Sequence, residues 1–355
     1  MIEIGSEFSN FQIDNNFFFK KISSLGKSTI FMRSGRDSLS LLSKLIYKKS
    51  CIILLPAYCC DSMVQPFLIN GWAVEYYPIN EDLSIDIDSL TELCIKLNPD
   101  IVLVINYFGL VDTNSSINLI KSLFIDINVI EDITHVVFDI QSVYNKKVDY
   151  YVGSLRKWLG IPDGSIIISN TLQMPALRYK KNYFVESRKK SLQLKAQYLL
   201  NFNIQLKSTY LDLFKNADLS LNNGKIPHSI SNYSKKILFK LNVSELISIR
   251  TKNVIYLYEL LVNLSGIKIL YNNNVFAPFY LPILVNKRDE VQRKLSDCGI
   301  YAPILWPLNQ KARDVSPNAI FFENNLLAIP IDHRYDTLHM DYIFNTLKKI
   351  INENE

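Results

Sequence analysis

Val129-Ile130-Glu131-Asp132, an apolar run that ends in two carboxylates, is followed by Ser154-Leu155-Arg156-Lys157-Trp158, where a lysine stands just after a second strand-like run and 25 residues beyond Asp132, room for one strand and its connections. An acid at one strand end and a lysine at the next meet two needs of pyridoxal phosphate chemistry. The lysine amine bonds the cofactor aldehyde, and the carboxylate keeps the pyridine nitrogen protonated so that the ring accepts electrons. Lys157 and Asp132 are the candidates. Each also has a plain alternative, since a lysine is commonly a solvated surface charge and an Asp after a strand is commonly a cap or turn residue.

Working outward, residues 28 to 170 alternate helical periodicity with short apolar runs bounded by turn residues, the pattern of βαβ units around a mostly parallel sheet. Strands are expected at Cys51–Leu55, Ala73–Tyr77, Ile101–Ile105, Val129–Glu131 and Ile166–Ser169, and helices at Arg36–Lys48, Asp61–Asn70, Ile87–Lys96, Ser115–Phe124 and through much of 176–216. A helical stretch over about 236–262 joins this unit to a smaller one. There Phe276–Val285 and Ile304–Leu308 read as strands, and Arg288–Cys298 and Leu338–Ile351 as helices. The expected fold is α/β, a large domain over 1–245 with an N-terminal arm and a small C-terminal α/β domain over 246–355.

Composition narrows the function classes. With 355 residues, 48% of them hydrophobic, the chain buries a sizeable core. No apolar run approaches the 18 residues that span a bilayer, and the first residues lack the basic and apolar regions of a signal peptide, so a cytoplasmic location without membrane attachment is expected. Cys51, Cys59, Cys60, Cys94 and Cys298 are odd in number and form no CxxC pair. Neither a disulfide framework nor a metal site is expected. A net charge of +5 is too mild for a dedicated nucleic-acid binder, and the basic clusters Arg178–Lys181 and Arg188–Lys190 read as a solvated helix face or as steering for an anionic ligand. The absence of a GxGxxG turn after the first strand argues against a nicotinamide oxidoreductase.

Ser34-Gly35-Arg36-Asp37-Ser38-Leu39 opens the first long helix, where free backbone N–H groups suit a phosphate and where Ser34 equally serves as an N-cap. In order along the chain, this turn, Leu55-Pro56-Ala57-Tyr58-Cys59-Cys60, Asn106-Tyr107-Phe108-Gly109 and Glu131-Asp132-Ile133-Thr134-His135 resemble the motifs of fold-type I pyridoxal phosphate enzymes, and among them the DegT/DnrJ/EryC1/StrS sugar aminotransferase family. The chain departs from that family around the lysine, with Ser154 three residues before it rather than five, and with Cys60 where the family has a ring-stacking aromatic.

The resemblance implies a large domain with a seven-stranded sheet and pyridoxal 5'-phosphate as cofactor. It implies that Lys157 bonds the cofactor and moves protons, that Asp132 pairs with the pyridine nitrogen, and that His135 contacts the ring hydroxyl. The backbone amides of Arg36 and Asp37, with the Ser154 hydroxyl, would hold the phosphate, Tyr58 or Cys60 would lie against the ring, and Ser34, Gly35 and Asn106 belong to the same implied cofactor site. The implied substrates are a nucleotide-linked keto sugar and an amino-acid donor, in surface-polysaccharide or related biosynthesis, and the implied assembly is a homodimer built through 176–216. His333 and Arg334, near the C-terminus, are candidates for an anionic substrate group, or for a surface ion pair. Another fold-type I activity (amino-acid aminotransferase, lyase or decarboxylase) and a non-catalytic cofactor-binding regulator stay open as alternatives.

Overall fold

Short apolar runs and amphipathic helices alternate from residue 28 to residue 169, and the chain folds them into one layered unit. The structure, a computed structural model, describes residues 3–8, 19, 22–221, 226–271 and 278–353. The seven strands are β1 (Ser28–Met32), β2 (Ile52–Pro56), β3 (Ala73–Tyr77), β4 (Ile101–Ile105), β5 (Asn128–Asp132), β6 (Tyr150–Ser154) and β7 (Ser165–Ser169), in the spatial order β1-β7-β6-β5-β4-β2-β3. The pairs from β3 through β6 are parallel, and β7 runs antiparallel to both its neighbours. Helices α1 (Gly35–Leu45), α2 (Asp61–Ile69), α3 (Ile87–Leu97), α4 (Thr113–Leu123) and the short α5 (Ile140–Val143) make the crossovers.

Because helices cover both faces, the central strand β4 is apolar on every residue: Ile-Val-Leu-Val-Ile, buried throughout. Ile101, Leu103 and Ile105 face one core layer and Val102 and Val104 the other. Parallel order has a functional consequence, since it brings the carboxyl ends of β4, β5 and β6 to one edge, where an open α/β sheet binds its ligands.

After the sheet come α6 (Tyr183–Asn201) and α7 (Ile204–Ser220), then α8 (Asn232–Leu238) and α9 (Val243–Leu261). The helical stretch expected over 176–216 is therefore a hairpin, broken where Phe202 takes a left-handed φ of 47°. The stretch expected over 236–262 is likewise two helices. Within α9, Val243 and Leu246 pack into the large sheet's core, and Val254, Leu257 and Leu261 into that of a second sheet. The expected boundary near 245 thus falls inside the first turns of a helix that serves both cores.

The second sheet has three antiparallel strands, β8 (Ile267–Ile269), β9 (Leu281–Val285) and β10 (Leu326–Ile329), with β9 central. Helices α10 (Arg288–Asp297), α11 (Gln310–Val315), α12 (Pro317–Asn325) and α13 (Thr337–Asn352) complete it. Two expectations need correction. The strand read at Phe276–Val285 begins only at Leu281, Phe276 and Ala277 lying outside the described residues. Ile304–Leu308 is an unpaired loop, in which Trp306 adopts a left-handed φ of 47° incompatible with a ladder.

Candidate active site

β5 ends at Asp132 and β6 at Ser154, side by side, and the loops leaving them are tied together by Thr134. The Thr134 N–H donates to Asp132 Oδ1 at 2.8 Å, its hydroxyl accepts the Ser154 N–H at 3.1 Å, and its carbonyl accepts Trp158 Nε1–H at 2.6 Å. A second tie comes from Gly164, whose carbonyl accepts the N–H groups of Leu155 and Arg156 at 3.0 and 3.2 Å and whose N–H donates to Arg33 O at 2.8 Å. Gly164 has φ 148° and a Cβ there would press on Ile161, so this junction of the lysine loop with the start of α1 suits glycine. Between these anchors Lys157 sits on a tight turn, half-buried, facing a cavity of about 460 Å³.

Charge at this edge is set by burial. Asp132 is 5% exposed, and burial raises its pKa while the neighbouring Lys157 ammonium draws it back down. His135 is 4% exposed; burial, and then the Lys157 charge, push it down to about 3, so it is neutral across the working pH range. Its Nδ1 accepts the Phe108 N–H at 3.2 Å, which leaves the ring proton on Nε2. The imidazole is held flat against Trp306, Phe279 and Phe108, with centroids 5.7, 5.2 and 4.6 Å away, and it lines the Lys157 cavity.

Lys157, Asp132, His135 and Ser154 are thus brought together. Others of the expected residues go elsewhere. Asn106 turns its amide to Glu131, on the opposite sheet face from Asp132, donating to Oε1 at 3.2 Å. Glu131 itself is fully buried, accepts the Thr113 hydroxyl at 2.7 Å and is raised to about 7 by burial. Tyr58 is buried under Trp306, Tyr107 and Phe322, and its hydroxyl donates to Leu305 O at 3.3 Å. Cys60 caps α2 and contacts Ser62. Ser34 accepts the Asp37 N–H at 3.2 Å as an N-cap, and the Asp37 carboxylate takes a bidentate pair from Arg33, both bonds 2.9 Å. Residues 34–37 lie outside the lining of the cavity that holds Lys157.

His333 is half-buried, stacked on Phe8, and absent from the cavity lining. Arg334 does line the cavity, but its guanidinium is engaged by Asp332 at 2.7 Å and by the carbonyls of Ser6 and Glu7, with Phe8 beneath it. It is a clamp for the N-terminal segment rather than the surface ion pair considered above.

Several cavity residues were not singled out in the sequence. Arg250 of α9 is 1% exposed, donates to Pro278 and Phe279 carbonyls at 3.2 and 3.0 Å, and stacks on Trp158 at 4.2 Å. Burial lowers it to about 10, Asp332 opposing. The available signal was a lone Arg in line with Leu246, Val254 and Leu257 on a buried helix face. Trp306, Arg156 and the N-terminal segment around Glu3 also line the cavity, as does Arg188, read in the sequence as part of a solvated helix face or as anion steering. Only the tertiary fold brings these five segments to one place.

No protein-family model and no curated protein sequence matches this chain. Solved structures do. PseC from Helicobacter pylori, an aminotransferase involved in the biosynthesis of pseudoaminic acid, matches with a TM-score of 0.70 at 13% identity, over 99% of this chain and 100% of its own. A DegT DnrJ EryC1 StrS aminotransferase from Brucella abortus matches with a TM-score of 0.65 at 14% identity, over 94% of this chain and 88% of its own. The sugar aminotransferase CalS13 from Micromonospora echinospora gives 0.61 at 13% identity, over 95% and 93%. The chain has the fold-type I architecture. Among the described residues there is no cluster of His, Cys, Asp and Glu suited to a metal, and no helix is long and apolar enough to cross a membrane.

Proposed function

We propose that this protein is a pyridoxal phosphate-dependent aminotransferase that delivers an amino group to a nucleotide-linked keto sugar, taking it from an amino acid and working as a homodimer. One observation carries the reading: Lys157, Asp132 and neutral His135 converge at the carboxyl ends of adjacent strands of a fold-type I sheet.

The donor set fits the cofactor. Asp132 is a buried carboxylate suited to a protonated pyridine nitrogen, His135 has an Nε2–H available for a phenolic oxygen, and buried guanidinium nitrogens beside Lys157 have no hydrogen-bond partner. When bound, pyridoxal phosphate supplies the electron sink that lets an amino group exchange between an amine and a carbonyl compound. The chain's own groups do the rest. In the first half-reaction the Lys157 amine would take the proton from the donor's carbon, and in the second it would give one to the acceptor's carbon. Asp132 keeps the ring nitrogen protonated, and His135, neutral and fixed by its aromatic neighbours, orients the ring oxygen without adding charge.

The substrate class rests on charge and on the fold relatives. The cavity lining includes Arg156, Lys157, Arg188, Lys207, Arg250 and Arg334 against Glu3, Glu7 and Asp332, an excess of cations that suits a nucleotide's phosphates and a donor's carboxylate. Relatives of the fold named above act in sugar pathways. Arg250 offers a planar fork for the donor carboxylate.

Borohydride reduction of the protein loaded with pyridoxal phosphate, followed by peptide mapping, tests the assignment. The label is expected on Lys157. A label on another lysine, or none, overturns it.

A further inference from the structure

Three arginines meet beside Lys157 with too little carboxylate to answer them. Arg36 is in the first turn of α1, Arg156 directly precedes Lys157, and Arg188 lies in α6. Arg156 Nη2 and Arg188 Nη1 approach Asp218 Oδ1 at 3.4 and 3.6 Å, Arg188 Nη2 lies 3.6 Å from Glu7 Oε2, and Arg36 Nη1 reaches only the Asp218 carbonyl, at 3.5 Å. These are long contacts, and both carboxylates are open to water, with side chains 42% and 41% exposed. The Arg188 side chain is 4% exposed. Four nitrogens of the cluster are buried with no hydrogen-bond partner: Nε of Arg36, Nε of Arg156, and Nε and Nη1 of Arg188. Native proteins rarely leave such donors unmatched, and a group of them on three separate elements points to a ligand.

Chemistry selects that ligand. Guanidinium forks match phosphate and carboxylate oxygens. Donors that converge from a helix start, a turn and a second helix suit the several directions of a tetrahedral anion better than the single plane of a carboxylate. The sequence also explains why side chains are needed here: the Ser34–Asp37 turn carries the Asp37 carboxylate, matched by Arg33, at the place where backbone amides alone would otherwise receive an anion. Arg156 and Arg188 line the Lys157 cavity, so an anion they hold is adjacent to the reacting groups.

We propose that Arg156 and Arg188, in the wall of the Lys157 cavity, form a phosphate seat together with Arg36, which neighbours Arg156 outside the cavity lining. The seat rests on the aminotransferase reading only for the source of its phosphate, which is the cofactor's monoester or a nucleotide's diphosphate.

The full-length protein and its Arg156→Gln, Arg188→Gln and Arg188→Lys variants are titrated with pyridoxal phosphate, with pyridoxal, and with inorganic pyrophosphate, and circular dichroism checks their folding. Losing one charged fork is expected to weaken the phosphate probe that occupies the seat on the order of 10- to 100-fold, with pyridoxal attachment unchanged and Arg188→Lys intermediate. A collapse of the preference for pyridoxal phosphate over pyridoxal identifies the cofactor as the source. Loss confined to pyrophosphate identifies the nucleotide. Unchanged affinity for both in the folded variants, or no binding of either by the parent protein, overturns the seat. Arg156→Gln, at a partly exposed position, decides the matter if Arg188→Gln misfolds. Failure of the parent protein to attach pyridoxal at Lys157 counts against the aminotransferase reading alone, because pyrophosphate binding and its loss in the variants still test the arginines.

Discussion

Glu3→Gln tests how the N-terminal segment is held over the cavity. The Glu3 side chain is 2% exposed and is grasped by the Lys195 ammonium, by Lys207 Nζ at 2.6 Å and by the Tyr198 hydroxyl at 2.9 Å. Burial by itself raises the carboxyl, but the hydrogen bonds from Lys195, Lys207 and Tyr198 outweigh it and bring the group from 4.5 to about 2. That displacement is linked to ~3 kcal/mol of stability. The sign follows from a depressed acid: the contribution is complete above pH 4.5 and is lost as pH falls from there toward 2. Gln removes the charge and leaves Lys195, whose side chain is 1% exposed, without a counter-ion. For a chain of 355 residues, ~3 kcal/mol corresponds to a fall in Tm of about 4 °C. Thermal unfolding followed by circular dichroism from pH 7 to pH 3 measures it, and the gap between parent and variant should narrow below pH 4.5. A variant with the parent's Tm at pH 7, or a gap that stays constant down to pH 3, refutes the clamp.

Asp132→Asn should keep the cofactor and lose about 100-fold or more of turnover, because a neutral amide does not hold the ring nitrogen protonated; single-turnover kinetics check this, and parent-like rates would remove Asp132 from its role. Light scattering should give a dimer near twice 41.0 kDa at micromolar concentration, through an interface above about 2,000 Å². Leu199, Leu200, Phe202 and Leu211 of the helical hairpin are exposed on this chain and available to it, whereas Phe214 is buried within the chain against Tyr210 and does not contribute. A monomer with full activity would contradict the homodimer reading.

Local periodicity carried much of the fold. Ile101–Ile105 forms a strand over the expected residues, an uninterrupted apolar run of that length suiting a strand buried on both faces, and Ala73–Tyr77 forms one with Glu75 half-buried and Ala73 exposed at the sheet edge. The errors fall where tertiary contacts override local pattern. Ile304–Leu308 is apolar throughout and lies between helical segments like a strand, yet Trp306 is turned left-handed and its indole stacks on His135. Phe202 ends a helix that composition alone would have continued.

In the site, the sequence by itself determined that an acid and a lysine end neighbouring strands, since parallel βαβ order sends successive strand ends to one edge. It also determined His135, three residues beyond Asp132 and on the same loop. Tertiary structure alone decided which charges share the cavity. Asn106 and Glu131 pair on the far face because side chains alternate along a strand, Arg334 is committed to Asp332 and the N-terminal segment, and Arg156, Arg188 and Arg250 converge on the cavity from three separated segments. The physical reason is range: hydrogen-bonded periodicity is local and readable over a few residues, whereas charge pairing, desolvation and stacking depend on distances between segments that only packing sets.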